Sequence, residues 1–243
     1  MSTTALCCGN AGHATQSAGD GVQWQQVPEM PGRADVDPLL PDGPGRVVVR
    51  GSDADLAAVV LRLLRKNRIA DLAVGYVPVR KSPATRLWGL PVGPDAVQVA
   101  LHGAARPVPL VRDDSGGLLI ASGLIAPITG QVYCDDQRVL NGPAVRLEVS
   151  PDPAAEPLAE PTSDPMSAML EPAADGLLVT TVRRGLLRQR RETTKARAVQ
   201  AGFRDTTVHR DGAEHPRPVG KWVWYRHTED LQLALRAAPT GKR

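Results

Sequence analysis

Three places in this 243-residue chain combine residue types that could do chemistry. The first is Val47-Val-Val-Arg-Gly-Ser-Asp-Ala-Asp-Leu56. Here an apolar run enters a Gly/Asp turn, and Leu56, Val59, Val60, Leu63 and Leu64 follow at helical spacing. A strand that turns into a helix start aims backbone N–H groups at an anion, often a phosphate. Gly51 is the only glycine in that turn, so on these residues alone an ordinary strand-to-helix turn is the better reading. The second place is a pair of Asp-Gly steps, Asp175-Gly and Asp211-Gly, the latter followed by Glu214. Asp-Gly also serves hairpin turns for backbone reasons alone. The third is basic: Arg183, Arg184, Arg188, Arg190, Arg191, Lys195 and Arg197 face only Glu192 among acids. Such a run suits an anionic membrane surface or a nucleic acid, or an exposed loop between strands.

Other residues read as structural. Trp222 and Trp224 alternate and so share a strand face, which favours core packing over a base-stacking platform. Cys7, Cys8 and Cys134 form neither a disulfide framework nor a set at metal-ligand spacing. They read as ordinary thiols of a reducing cytosol. The five histidines are scattered, and none lies in a nucleophile motif.

These residues need elements to position them. A strand–turn–helix–strand unit is expected over 46–77, the pattern of a parallel crossover. Ser52 or Asp53 can cap its helix and Asn67 suits the helix end. From residue 96 onward, short β-branched runs separated by turns argue a β-sandwich-like domain. These include Ala96–Leu101, Gly176–Val182, Lys221–Tyr225 and Leu231–Leu235. The first 44 residues show no sustained period and read as a flexible tail. The proline-rich 151–174 reads as a loop, and 237–243 as a second tail. The expected class is therefore α+β: a truncated α/β half over 45–92, then a β-sandwich-like domain over 93–236. Gly 23 and Pro 22, with only eight aromatics, exclude a long helical bundle. No apolar run is long enough to span a membrane. The net charge of +3 hides a basic end: 183–243 carry fifteen Lys and Arg against six Asp and Glu.

The succession of segments resembles the diacylglycerol kinase catalytic-domain family, with its sphingosine kinase and bacterial lipid kinase relatives. That family has a strand ending in Gly-Gly-Asp-Gly-Thr, then Pro-x-Gly-Thr-x-Asn, then a β-sandwich with an Asp-Gly-Leu segment and a late Asp-Gly-Glu. Here the first motif is Gly51-Ser-Asp-Ala-Asp55, with Ser52 and Ala54 replacing glycines. The second falls in Tyr76-Val-Pro-Val-Arg-Lys-Ser-Pro83, where Pro78 matches and Arg80, Lys81 and Pro83 depart. Asp175-Gly-Leu-Leu and Asp211-Gly match best, with Glu214 displaced by one residue. The resemblance spans about 46–236, mostly by layout. The family's opening strand and Asn-Pro-x-x-Gly turn find no counterpart, so the α/β half is expected to be N-terminally shortened, or completed by a partner chain.

The resemblance implies ATP-dependent phosphorylation of a lipid hydroxyl, with ATP and Mg²⁺ as cofactors if the chain is active. It implies Gly51 and Ser52 toward nucleotide, with Arg80 and Lys81 as substitute phosphate partners. It places Asp53, Asp211 and Glu214 in catalysis, with Asp211 toward metal. The replaced glycines and Pro83 favour a degenerate homologue with a weakened or lost nucleotide site and no cofactor. The alternative is a non-catalytic binding or regulatory protein that engages anionic lipid through Arg183, Arg184, Arg188, Arg190 and Arg191. Nucleic acid is the lesser partner, and a homo-oligomer is compatible with either reading. The expected location is cytoplasmic, with peripheral contact at the inner membrane surface.

Overall fold

The computed structural model describes residues 2–12, 22–158, 175–185 and 188–236. The expected tail 237–243 and most of the loop 151–174 lie outside them. The chain forms two units, one from residues 1–107 with 231–243 and one from 108–230.

The first unit is built on a sheet in the order β2-β1-β3-β4-β18-β5. Its strands are β1 (Ser2–Cys8), β2 (Trp24–Val27), β3 (Gly45–Gly51), β4 (Leu72–Pro78), β5 (Ala104–Val108) and β18 (Leu231–Leu235). β1 runs parallel to both β2 and β3, and β4 runs parallel to β3 and β18. Val47, Val48 and Val49 are all fully buried, so β3 is covered on both faces as parallel strands must be. Helix α2 (Asp53–Arg65) follows β3 directly and buries Leu56, Val59, Val60 and Leu63. Ser52 caps it, and it ends where Asn67 takes a left-handed φ of 55°. Helices α1 (Arg33–Val36), α3 (Pro83–Leu87) and α4 (Pro94–His102) complete the unit.

Four expectations are corrected here. Residues 2–8 and 24–27 are strands of the sheet, not part of a flexible tail, and Leu6, Cys7 and Cys8 are buried. The shortened, two-stranded α/β half is therefore a six-stranded sheet within one chain. Ala96–Leu101 is helical, not a strand: Ala96 and Ala100, one turn apart, pack against Val48 and Val77. Glycine at 75 leaves room for the Ala100 backbone to lie directly on β4. Leu231–Leu235 joins the first unit's sheet beside β4 instead of the sandwich.

The second unit holds two antiparallel sheets. One runs β10-β9-β14-β17-β6-β7 and the other β13-β12-β11-β8-β15-β16. In chain order these are β6 (Val111–Asp113), β7 (Leu118–Leu119), β8 (Gly123–Ile125), β9 (Ile128–Cys134), β10 (Gln137–Ala144) and β11 (Arg146–Pro151). Then come β12 (Leu177–Arg183), β13 (Arg190–Ala196), β14 (Ala198–Thr206), β15 (Val208–Arg210), β16 (Ala213–Glu214) and β17 (Val219–Arg226). Inward residues of both sheets, among them Val132, Leu147, Val179, Val199, Trp222 and Trp224, form one core cluster. The two tryptophans are 2% and 0% exposed.

Candidate functional site

In the first unit, the C-terminal ends of the parallel strands β1, β3 and β4 open onto a cleft of about 370 Å³. Ligands of open α/β sheets bind at this edge. Cys8 and Asn10 line it from the end of β1, Gly51, Ser52 and Asp55 from the turn into α2, and Val79 from the end of β4. Glu29 and Met30 stand on the segment after β2. Gly9 has a φ of 56°, and a Cβ there would meet Glu29, so glycine lets β1 turn beneath that segment.

The Gly51–Asp55 turn is closed on itself. Asp55 Oδ2 accepts the Ser52 N–H and the Ser52 hydroxyl, both at 2.7 Å. Asp55 Oδ1 accepts the Met30 N–H at 2.7 Å, and the Asp55 N–H returns to Ser52 Oγ at 3.2 Å. This is a capping box, Ser at the cap and a carboxylate three residues on. A Cβ on Gly51 would stand 2.6 Å from Asp55 Oδ2, so the retained glycine makes space for the carboxylate.

Asp53 points away from that exchange and into the protein. Its Oδ1 accepts Tyr76 Oη at 2.8 Å and Ser82 Oγ at 2.7 Å, and its Oδ2 accepts the Ala84 N–H at 3.0 Å. It is 4% exposed and joins the starts of α2 and α3 to β4. Burial, with Asp53 beside it, pushes the Tyr76 phenol well above its ordinary pKa, so Tyr76 stays a donor. Burial, then Asp55, pushes the Cys8 thiol up to about 12, which leaves it protonated and unreactive at neutral pH.

Arg80 and Lys81 are exposed in the bend between Val79 and Ser82, at the same strand end as the cleft. In the second unit Asp211 is 4% exposed and accepts the N–H groups of Ile120, Ala121 and Ser122 at 2.7, 2.8 and 2.9 Å. Asp211 and Gly212, with φ of 48° and 86°, are the two-residue turn between β15 and β16. Glu214 is exposed on β16 opposite His209. Among the described residues no three His, Cys, Asp or Glu side chains stand together as a metal group.

No family model and no curated protein matches the sequence. Solved structures do match by shape. A diacylglycerol kinase from Bacillus anthracis aligns with a TM-score of 0.55 at 13% identity, over 80% of this chain and 77% of that one. An NAD kinase from Archaeoglobus fulgidus, solved in complex with ATP, aligns at 0.50 and 11% identity, over 96% of this chain and 93% of that one. The chain has a diacylglycerol kinase- and NAD kinase-like fold. At these identities the likeness concerns the fold alone.

A kinase-like fold raises the question of whether the residues fit ATP and Mg²⁺. Two of the three carboxylates expected to serve them, Asp53 and Asp211, do not. Asp53 and Asp211 each spend both oxygens on three internal donors, whereas Mg²⁺ needs carboxylate oxygens directed outward. The Ser52 N–H, which would meet a phosphate, is taken by Asp55. The sequence shows the Gly51–Asp55 turn between β3 and α2, but not the wall formed by Cys8, Asn10, Glu29 and Met30. The signal was present in Thr4–Cys8 followed by Gly9-Asn-Ala-Gly12, an apolar run into a glycine turn.

The basic segment is more neutral than its composition. Arg190 pairs with Glu192, Arg191 and Arg146 with Glu148, and Lys195 with Asp152. Arg183 donates to the Val139 carbonyl, while Arg184 and Arg188 are exposed. Among the described residues no helix is long and apolar enough to cross a membrane.

Proposed function

We propose that this chain is a non-catalytic binding protein on a kinase-like fold, with its cleft at the ends of β1, β3 and β4 as the binding site. The observation that carries this reading is the Asp53 carboxylate. A general base needs a free lone pair within reach of the proton it removes, and Asp53 is buried among Tyr76, Ser82 and Ala84. Asp211 is likewise spent on three backbone donors within its own unit. The cleft is favoured over the basic strand as the binding surface, because Glu148, Glu192 and Asp152 already offset much of that strand's charge.

Mg-ATP incubated with the protein and with diacylglycerol, a sphingoid base or NAD tests the proposal. No phosphoryl transfer is expected to any of the three. Turnover on one of them, above the protein-free rate, would overturn it.

A further inference from the structure

We infer that the outward face of β9, β14 and β17, in the second unit, is a binding surface for single-stranded nucleic acid. This surface is independent of the cleft proposed above, which belongs to the first unit.

The strands alternate. Val132 of β9, Val199, Ala201 and Phe203 of β14, and Trp222 and Trp224 of β17 point into the core. Gln131, Tyr133, Gln200, Gly202, Arg204 and Lys221 therefore point the other way, and they line an open groove of about 600 Å³. Glycine at 202 makes the groove. It pairs with Gln131 on one side and Lys221 on the other, so bare backbone lies between two long side chains. A Cβ built on Gly202 has nothing within 4 Å, so the space above this strand is open.

The groove is positively charged. Arg204 and Lys221 are exposed, and no residue that lines the groove is acidic. Among the described residues neither cation forms an ion pair. Arg138 of β10, exposed and directly opposite Tyr133, extends the same face to the edge of the sheet. From β10 to β17 the cations span three strand spacings, roughly 14 Å. Charge spread over that distance matches a repeating anion better than a single phosphate. On β13, by contrast, Arg190, Arg191 and Lys195 are each paired with a carboxylate.

The groove also carries an aromatic ring. Tyr133 is 37% exposed in a chain with few aromatics, and it stands in register with Gln200. An exposed ring on a sheet face is a stacking platform for an unpaired base. The amides of Gln131 and Gln200 offer both donors and acceptors to base edges and sugar hydroxyls. A duplex hides its base faces, so a single strand is the polyanion that uses charge, ring and amides together.

Fluorescence anisotropy of the full chain with a short labelled oligothymidylate tests the inference, with a duplex of equal length for comparison. The single strand is expected to bind more tightly than the duplex. Its affinity should fall with salt along a log–log slope of about −2, about 0.7 for each of Arg138, Arg204 and Lys221. Lys221→Ala should reduce that slope by about 0.7. Tyr133→Ala should weaken binding about five-fold or more, through lost stacking. Gly202→Leu, which enters open space, should block the groove, and Arg190→Ala should leave binding unchanged. Thermal melting shows that each variant folds. No binding of oligothymidylate, a duplex bound as tightly, or equal losses in Arg190→Ala and Lys221→Ala would overturn the inference. So would preferential binding of a sulfated polysaccharide that Tyr133→Ala leaves intact. A dimer in sedimentation that binds no oligonucleotide and that Gly202→Leu dissociates would overturn it in favour of self-association.

Discussion

Asp53 accepts three hydrogen bonds, one from Tyr76 on β4 and two from Ser82 and Ala84 at the start of α3, and Tyr76 and Ala84 are buried with it. Replacing it with alanine leaves Tyr76 Oη, Ser82 Oγ and the Ala84 N–H without their acceptor. Asp53→Ala is therefore expected to cost on the order of 3 kcal/mol in urea unfolding, and a cost near zero would deny it the structural role. Arg226 has a comparable place in the second unit. It donates to the carbonyls of Glu156 and Asp175 and pairs with Asp230, both side chains being almost fully buried. Arg226→Ala should cost about 3–5 kcal/mol, because Asp230 is left as an uncompensated buried charge. His227 adds a pH dependence. Burial first, and Arg112 second, hold its pKa below the ordinary 6.5. The unfolded chain thus binds the proton more readily, so its contribution to stability is present above pH 6.5 and is lost as pH falls through the lower folded value. His227→Asn should flatten the melting temperature across that acid window, and an unchanged profile would assign the dependence elsewhere.

At the scale of elements, the βαβ segment was legible because its signals agree with one another. Three consecutive buried valines, a Ser cap with Asp55 three residues on, and Asn67 at the helix end all point the same way. Strand β1 leaves only a short signal, Ala5–Cys8 before Gly9. Ser2-Thr-Thr-Ala-Leu-Cys-Cys has no β-branched apolar residue, and its stability comes from parallel pairing with β2 and β3, which composition does not reveal. Helix α4 was hidden for a different reason: Ala-Val-Gln-Val-Ala alternates like a strand, and the close backbone approach at Gly75 that helps hold the helix is not visible in sequence. The docking of β1 has a direct test. Leu6 is fully buried, so Leu6→Ala should cost about 2–5 kcal/mol. The Cys7 and Cys8 thiols should resist a thiol reagent in the native protein and react on unfolding. Rapid native labelling with a neutral Leu6→Ala would instead describe a loose N-terminal segment.

At the scale of the whole molecule, motif order along the sequence pointed to the fold that the solved kinases share. Order is legible because the fold fixes which strand ends carry turns. What those turns do is not, because it depends on where each carboxylate sends its lone pairs. The resemblance implies metal or proton-transfer roles for Asp53 and Asp211, whereas in the fold both are internal acceptors. The most direct measurement is transfer of the γ-phosphate from labelled ATP, with Mg²⁺, to diacylglycerol, a sphingoid base or NAD, run in parallel on wild type and Asp53→Asn. The structure predicts that neither protein exceeds the protein-free rate. Wild-type transfer that Asp53→Asn abolishes would contradict it.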